Sequence, residues 1–395
     1  MTTLLSFGLL LALCIVLIPV LTLLAQVLLA VRPVRPGVPV ISRPSRIAVL
    51  IPAHNEEAGL LATLASLQTQ LGVADCILVV ADNCSDQTAT VARRAGVEVV
   101  ERNNPELRGK GYALDFGMQV LASAPPDVVI IVDADCIVAS GAISQLADLA
   151  YRHHRPVQAL YLMHMPVGST PLKSLAEFAW IMKNKVRPLG WAHLGWPCQL
   201  MGTGMAFPWE TIRTAKLSTG HIVEDMKLGV DLAQTGHFPL FCPQALVHSC
   251  FPTSRDGKLT QRTRWEHGHL GTIASTALPS LFAAVRRADL SLLAFSLDLC
   301  VPPLALLVLM VGVLLGLSLG LVMAGGPLAP LVLSLICSAA FMAAILIGWW
   351  RHGRSVVTGR ALTMAAFYVL IKIPLYIRFL FNRQATWVRS KRDAE

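Results

Sequence analysis

The chain has 395 residues, of which 54% are hydrophobic and only 14% charged, with a formal net charge of +9. A soluble domain carries about 25% charged residues, so part of this chain is expected to lie in lipid. Much of the positive excess flanks apolar segments, which assigns it to anionic lipid headgroups and argues against a nucleic-acid partner.

Four stretches are long and apolar enough to be read as membrane spans, at residues 4–31, 300–324, 328–350 and 361–381. The first carries no charge before Arg32 and has no small-residue cleavage site, so residues 1–31 are read as an anchor, not a removed signal. Arg32, Arg35, Arg43 and Arg46 follow it directly. The positive-inside tendency then places the following domain in the cytoplasm and the chain in the inner or plasma membrane. Residues 32–46, rich in Pro and Arg, read as an extended basic linker.

From residue 47 the pattern changes to short β-rich runs, IAVLIPA (47–53), CILVVAD (76–82), VEVVERN (97–103) and VVIIVDAD (128–135). Helix-length segments at 56–70, 86–95 and 109–123 separate them. Strands alternating with helices predict an α/β, Rossmann-like domain with a mainly parallel sheet over 47–270, whose ligand site gathers at the carboxyl ends of the strands. The polar residues fall there: His54, Asn55, Glu56 and Glu57 after the first run, Asp82, Asn83 and Asp86 at the second, and Asp133 and Asp135 at the fourth. The glycine fingerprints of dinucleotide and P-loop sites are absent.

Helical spacing of Leu172, Leu175, Phe178, Met182 and Val186, with Lys173, Glu177, Lys183 and Lys185 between them, predicts an amphipathic helix at headgroup depth over 170–187. Residues 271–299 are expected to behave similarly. Lys372, Pro374 and Arg378 mark 361–381 as a transmembrane or tilted interfacial segment, and 382–395 as a basic tail. The nine cysteines contain no C-x-x-C pair and are expected as reduced, mostly buried thiols.

Asp133-Ala134-Asp135 offers two carboxylates at a strand end, suited to one hard cation such as Mg2+ or Mn2+ beside a diphosphate. Asp225 of Val223-Glu224-Asp225 opens a predicted helix and reads either as an N-terminal cap or as a general base. Gln261-Arg262-Thr263-Arg264-Trp265 supplies an amide, a guanidinium and an aromatic platform. His267 and His269 lack a nearby third ligand and are read as a helix end, not a metal site.

Seven ordered motifs, IPAHNEE, ADNCSDQT, RGKGYAL, DADC, GTGMAF, VEDMKLG and QRTRW, resemble the membrane-bound family 2 glycosyltransferases with a GT-A fold, the group of cellulose, chitin, hyaluronan and ceramide glucosyl synthases. The resemblance implies that Asp82 contacts the donor nucleoside in a pocket shaped by Pro52, Ala53 and Glu56. It implies that Lys110 approaches the diphosphate, that Asp135 binds the metal with Asp133 also toward the donor, and that Asp225 is the base. It also implies that Gly202, Thr203 and Gly204 line the acceptor path, and that Gln261, Arg264 and Trp265 clamp the diphosphate, Trp265 also flooring the acceptor site. The implied reaction is inverting hexosyl transfer from a nucleotide diphosphate donor, a UDP-sugar by expectation, to a lipid or lipid-linked glycan in cell-envelope or exopolysaccharide synthesis. A processive polysaccharide synthase is the alternative, and an inactive membrane scaffold a minor one. Four candidate spans are too few to enclose a polymer channel, which would need a second copy or an export partner. Met201 stands where polymerising synthases often carry cysteine, and His248-Ser249-Cys250 where many relatives are acidic.

Overall fold

The structure is a computed structural model and describes residues 2–34, 43–166, 168, 170–252 and 255–381. Part of the expected linker and the basic tail at 382–395 lie outside them. The chain forms two compact units, one comprising Val34–Pro166 and Pro197–Gly268, the other Met1–Pro33, Val167–Trp196 and His269–Arg383.

The first unit is built on an eight-stranded sheet: β1 (Ile47–Ala53), β2 (Cys76–Asp82), β3 (Glu98–Arg102), β4 (Val128–Ile131), β5 (Ile137–Val138), β6 (Val157–His164), β7 (Met205–Pro208) and β8 (Leu240–Cys250). Their spatial order is β3-β2-β1-β4-β7-β6-β8-β5. The half formed by β3, β2, β1 and β4 is parallel throughout, as is the β6–β8 pair, whereas β4–β7, β7–β6 and β5–β8 are antiparallel. Ile47 to Ile51 are buried without a gap. Strands covered on both faces need no polar alternation, which is why β1, β2 and β4 stand out in the sequence as continuous apolar runs. The crossovers are α2 (Leu60–Gln68), α3 (Thr88–Arg94) and α4 (Lys110–Leu121), and α4 closes a core in which Leu114 and Met118 meet Leu50, Leu78 and Phe207.

Two sequence expectations need correction here. The fourth run ends as a strand at Ile131, so Asp133 and Asp135 sit in the turn beyond it and not at the tip of a longer strand. The expected set of four strands also omits the other four, because β6 to β8 are short, bulged or interrupted by Pro243.

The second unit is helical. α1 (Thr2–Ala30) buries Leu13, Val16, Val20, Leu23 and Val27 on one seam while Leu11, Ile15, Ile18 and Leu28 stay exposed. A helix apolar on both faces is suited to one side against protein and the other against lipid. Thr2–Ala30, Leu304–Met323 and Ala329–Gly353 are long and apolar enough to cross a membrane. The last helix, Ala365–Phe381, has 17 residues and contains Pro374.

The predicted amphipathic helix is Pro171–Ile181 followed by a π-helical turn (Met182–Val186) and Arg187–Ala192. Its polar face is not wholly open, since Glu177 and Arg187 are buried. The Arg187 guanidinium donates to Asp298 Oδ1 at 2.8 Å, and Gln26 Nε2 donates to the same oxygen at 2.6 Å. Residues expected to form one interfacial stretch divide into Ile273–Ala277, Leu278–Arg287 and Leu290–Cys300.

Candidate active site

The loop after β1 and the loop after β2 are laced together. Asn55 Nδ2 donates to Ser85 Oγ at 3.0 Å, the Ser85 amide donates to Asn55 Oδ1 at 2.7 Å, and the Glu56 amide donates to Thr88 Oγ1 at 2.7 Å. The Glu57 amide meets Asp86 Oδ2 at 3.1 Å, and Glu57 Oε2 accepts from the Gln87 amide at 2.8 Å. Burial alone would raise the Asp86 pKa, but the bonds from Thr88 and Glu57 hold it below the usual carboxylate value. Between these loops lie Pro52 and the buried Ala53 at the end of β1, and the 95% buried Asp82 at the end of β2. Asp82 Oδ1 accepts from Arg102 Nη1 at 2.6 Å and from Asn83 Nδ2 at 3.0 Å.

The turn after β4 carries the second group. Lys110, the first residue of α4, donates to Asp133 Oδ1 at 2.5 Å and to the Gly202 carbonyl at 2.6 Å, with Glu224 Oε1 4.0 Å away. The Asp133 amide donates to Thr203 Oγ1 at 3.0 Å. Gly202 and Gly204 have φ of +91° and +63°, a left-handed geometry that suits glycine. A Cβ on Gly204 would also lie 2.6 Å from Ala159 Cβ, so Gly-Thr-Gly is a backbone splice that fixes Lys110 and Asp133. A Cβ placed on Gly202 would lie 3.4 Å from Asp225 Oδ2 and 3.8 Å from Lys110 Nζ, so carboxylate and ammonium flank one point.

Glu224 and Asp225 open α5 (Glu224–Gln234), but the cap position belongs to Val223 and no side chain caps the helix. The capping reading of Asp225 therefore fails. Burial pushes the Glu224 pKa up to about 7, against the opposing pull of Lys110. Burial also raises Asp133, a shift that Lys110 partly offsets. For Lys110 itself burial acts downward, yet Asp133 and Glu224 hold its pKa above the usual value and keep it charged.

Asp133, Asp135 and Cys136 place their candidate ligand atoms within 4.8 Å of one another. Two carboxylate oxygens fit a hard cation. Cys136 does not, because burial drives its pKa well up and leaves a protonated thiol.

A family model described as "Glycosyltransferase like family 2" matches residues 44–268. The chain belongs to glycosyltransferase family 2. An uncharacterized glycosyltransferase of Mycobacterium tuberculosis is 37% identical over 122 residues, which cover 29% of this chain and 51% of that protein. The 4,4'-diaponeurosporenoate glycosyltransferase of Staphylococcus haemolyticus is 28% identical over 201 residues, 46% of this chain and 50% of that protein. The chain thus spans about half the length of the curated relatives it matches. Among solved structures, the mannosyltransferase PcManGT from Pyrobaculum calidifontis, in complex with GDP-Man and Mn2+, shares the fold at a TM-score of 0.55 with 16% identity, covering 97% of this chain and 100% of that one. The first unit is therefore a GT-A domain.

Within this family 2 domain the sequence-predicted residues fall into three places. Pro52, Ala53, Glu56 and Asp82 stand at the laced loops, and Lys110, Asp133, Gly202, Thr203 and Asp225 meet at the turn after β4. Gln261, Arg264 and Trp265 sit one turn apart on α6 (Arg255–Thr272). A Cβ on Gly268 would come 2.5 Å from Val223 Cγ1, so α6 packs onto the residue preceding Glu224. The Arg264 charge pulls the Glu224 pKa down against the larger effect of burial, and its buried Nε has no hydrogen-bond partner among the described residues. Buried His267 belongs to the same helix, whereas His269 Nε2 donates to the Leu299 carbonyl at 3.1 Å within the helical unit. Neither appears among the metal-ligand groups of the described residues.

His248, Ser249 and Cys250 end β8, where Ser249 Oγ lies 2.9 Å from Tyr161 Oη. No cysteine pairs in a disulfide among the described residues; Cys136, Cys198, Cys242 and Cys337 are buried, Cys76, Cys84 and Cys300 intermediate, and Cys14 and Cys250 exposed, so the expectation of mostly buried thiols holds for four of the nine. Sequence reasoning missed Arg102 as a site residue, and it named Asn83 and Glu224 only in passing, as a polar residue at a strand end and as the neighbour of Asp225. Only the pairing of β2 with β3, which sets Asp82 beside Arg102, gives the first of these away.

Proposed function

We propose that the chain transfers a hexose from a nucleotide diphosphate donor, a UDP-sugar, to a lipid or lipid-linked acceptor, with inversion at the anomeric carbon. The observation that carries this reading is the Lys110–Asp133–Asp135 cluster facing the Glu224–Asp225 pair across Gly202. One face offers positive charge and hard oxygen ligands for a diphosphate; the other offers a carboxylate for a hydroxyl proton.

Asp225 takes the proton of the acceptor hydroxyl as that oxygen attacks the anomeric carbon. The carbon–oxygen bond to the diphosphate breaks, and the nucleoside diphosphate leaves from the opposite side. Asp135 is the carboxylate assigned to Mg2+ or Mn2+, with Asp133, which is bonded to Lys110, within 4.8 Å of it. When bound, that cation neutralises charge developing on the leaving group. Lys110 and Arg264 add fixed positive charge, Gln261 an amide donor, and Trp265 an apolar floor for donor and acceptor. Glu224, 4.0 Å from the Lys110 ammonium, is the neighbouring carboxylate of the pair, and the proton transfer is assigned to Asp225, the one beside Gly202.

Residues 47–270 form the catalytic domain in this reading, held at the cytoplasmic face by the anchor at 1–31, the linker at 32–46, spans at 300–324 and 328–350, and interfacial segments at 271–299 and 361–381. The helices suited to crossing a membrane among the described residues, three in number, support a bilayer acceptor over an extruded polymer. One relative is named for 4,4'-diaponeurosporenoate, not for a polymer. The test is a donor screen on the full chain in nanodiscs with Mn2+ and extracted lipids, followed by mass and anomeric analysis. One β-linked hexose per lipid from an α-linked UDP donor is expected. Glycans of many tens of sugars would replace this reading with the processive one.

A further inference from the structure

Asp82 is more constrained than a generic nucleoside contact requires. A carboxylate oxygen accepts about two hydrogen bonds, and Oδ1 has both filled, by Arg102 Nη1 at 2.6 Å and Asn83 Nδ2 at 3.0 Å. Oδ2 receives no hydrogen bond among the described residues. The clamp is itself held. Arg102 Nη1 also donates to the Leu107 carbonyl at 2.9 Å, and its guanidinium lies 5.7 Å from the Tyr112 ring centroid. Asn83 Oδ1 accepts from the Asn104 amide at 2.7 Å, and the Asn83 amide donates to the Arg102 carbonyl at 2.7 Å. Asn83 keeps a φ of +52° to reach both.

The side chain therefore presents one open acceptor atom in a site that is nearly closed to water. A uracil edge carries one ring N–H between two carbonyls and asks for one acceptor. A guanine edge carries two adjacent N–H groups and asks for both oxygens of a carboxylate. Docked on a single oxygen, guanine would leave a buried donor unpaired, a loss worth roughly tenfold or more in affinity. We propose that Arg102 and Asn83, by filling Asp82 Oδ1, make this pocket select a uracil over a guanine nucleotide. Both are positioning residues that act through Asp82.

This inference rests on the reading of Asp82 as the nucleoside contact. Equilibrium binding of UDP and GDP, each with Mn2+, to the detergent-purified full chain tests it. Wild type should favour UDP by about tenfold or more. Arg102→Met, which keeps the apolar stem over Tyr112 but frees Oδ1, should narrow the UDP:GDP ratio by about tenfold, and Arg102→Lys should restore part of it. Should Arg102→Met not fold, Asn83→Gly decides, because glycine suits the positive φ while removing the amide donor; it should narrow the ratio severalfold. A merely structural role would weaken both nucleotides alike and leave the ratio unmoved, and that result overturns the inference. So does a wild type that binds GDP as tightly as UDP. Failure of the underlying reading looks different: Asp82→Ala would then leave both affinities intact.

Discussion

The two halves of the GT-A sheet hold their polar residues in different ways. At the carboxyl ends of β1 and β2 the carboxylates are met by neutral donors and by one guanidinium, and Asp86 sits below its usual pKa. At the turn after β4, around the Gly202 loop and the start of α5, four carboxylates crowd one lysine, and Asp133 and Glu224 are raised by burial. Apart from the open Oδ2 of Asp82, the first region is satisfied as it stands and suits a group that needs only shape and a few hydrogen bonds. The second carries excess negative charge at neutral pH, which becomes stable once a cation and the positive end of the reaction arrive. Preorganised charge of this kind is where catalytic stabilisation resides, and in the proposed mechanism binding and chemistry separate along the sheet.

Three changes would break or sharpen that contrast. Asp135→Ala should have the largest effect. Removing the carboxylate assigned to the cation should lower turnover by about 10²-fold or more and abolish the Mn2+ dependence of UDP binding. Calorimetry with and without Mn2+ checks it, and undiminished metal-dependent binding would put the cation elsewhere.

Gly204→Ala comes next. Its left-handed φ and the 2.6 Å approach to Ala159 Cβ leave no room for a methyl group. The cost should be about 2–4 kcal/mol of stability, read as a lower urea midpoint of the full chain in mild detergent. An equivalent substitution at Gly96, where φ is +77° and no atom lies within 4 Å, should cost less.

The smallest effect is a pH dependence. Glu224 has a folded pKa of about 7, raised from 4.5. A raised carboxylate favours the folded state below its unfolded pKa and loses that contribution as pH rises through the folded value. Wild type should therefore lose about 1–3 kcal/mol of stability between pH 4.5 and 7.5 relative to Glu224→Gln. Melting curves of both proteins across that range would show parallel slopes if Glu224 titrated normally.

The parallel half of the sheet was legible in the sequence because strands buried on both faces leave unbroken apolar runs, as IAVLIPA does. The candidate site residues of this half were legible for the same reason: they fall where each run stops. The second half was not. GTGMAFP reads as a glycine loop until β7 pairs with β4, and LFCPQALVHSC hides a strand behind Pro243 and a register shift opposite Ala159 and Leu160. Arg102 was hidden by its surroundings, since VEVVERN looks like a solvent-facing edge strand whose charges need no explanation. Its ion pair with Asp82 arises from strand register, which sequence does not display. Glu224 was visible but undervalued, because its distinction from Asp225 depends on burial beside Lys110.

The central claim, that Asp225 is the base for transfer by this family 2 enzyme, is tested most directly by Asp225→Asn in the full chain, measuring turnover and UDP–Mn2+ affinity side by side. The amide keeps the shape of the carboxylate beside Gly202 but cannot take the hydroxyl proton. Turnover should fall by about 10² to 10⁴ while affinity stays within about twofold. A variant that keeps more than about half of wild-type turnover would contradict the assignment, since loss of a base cannot be that mild.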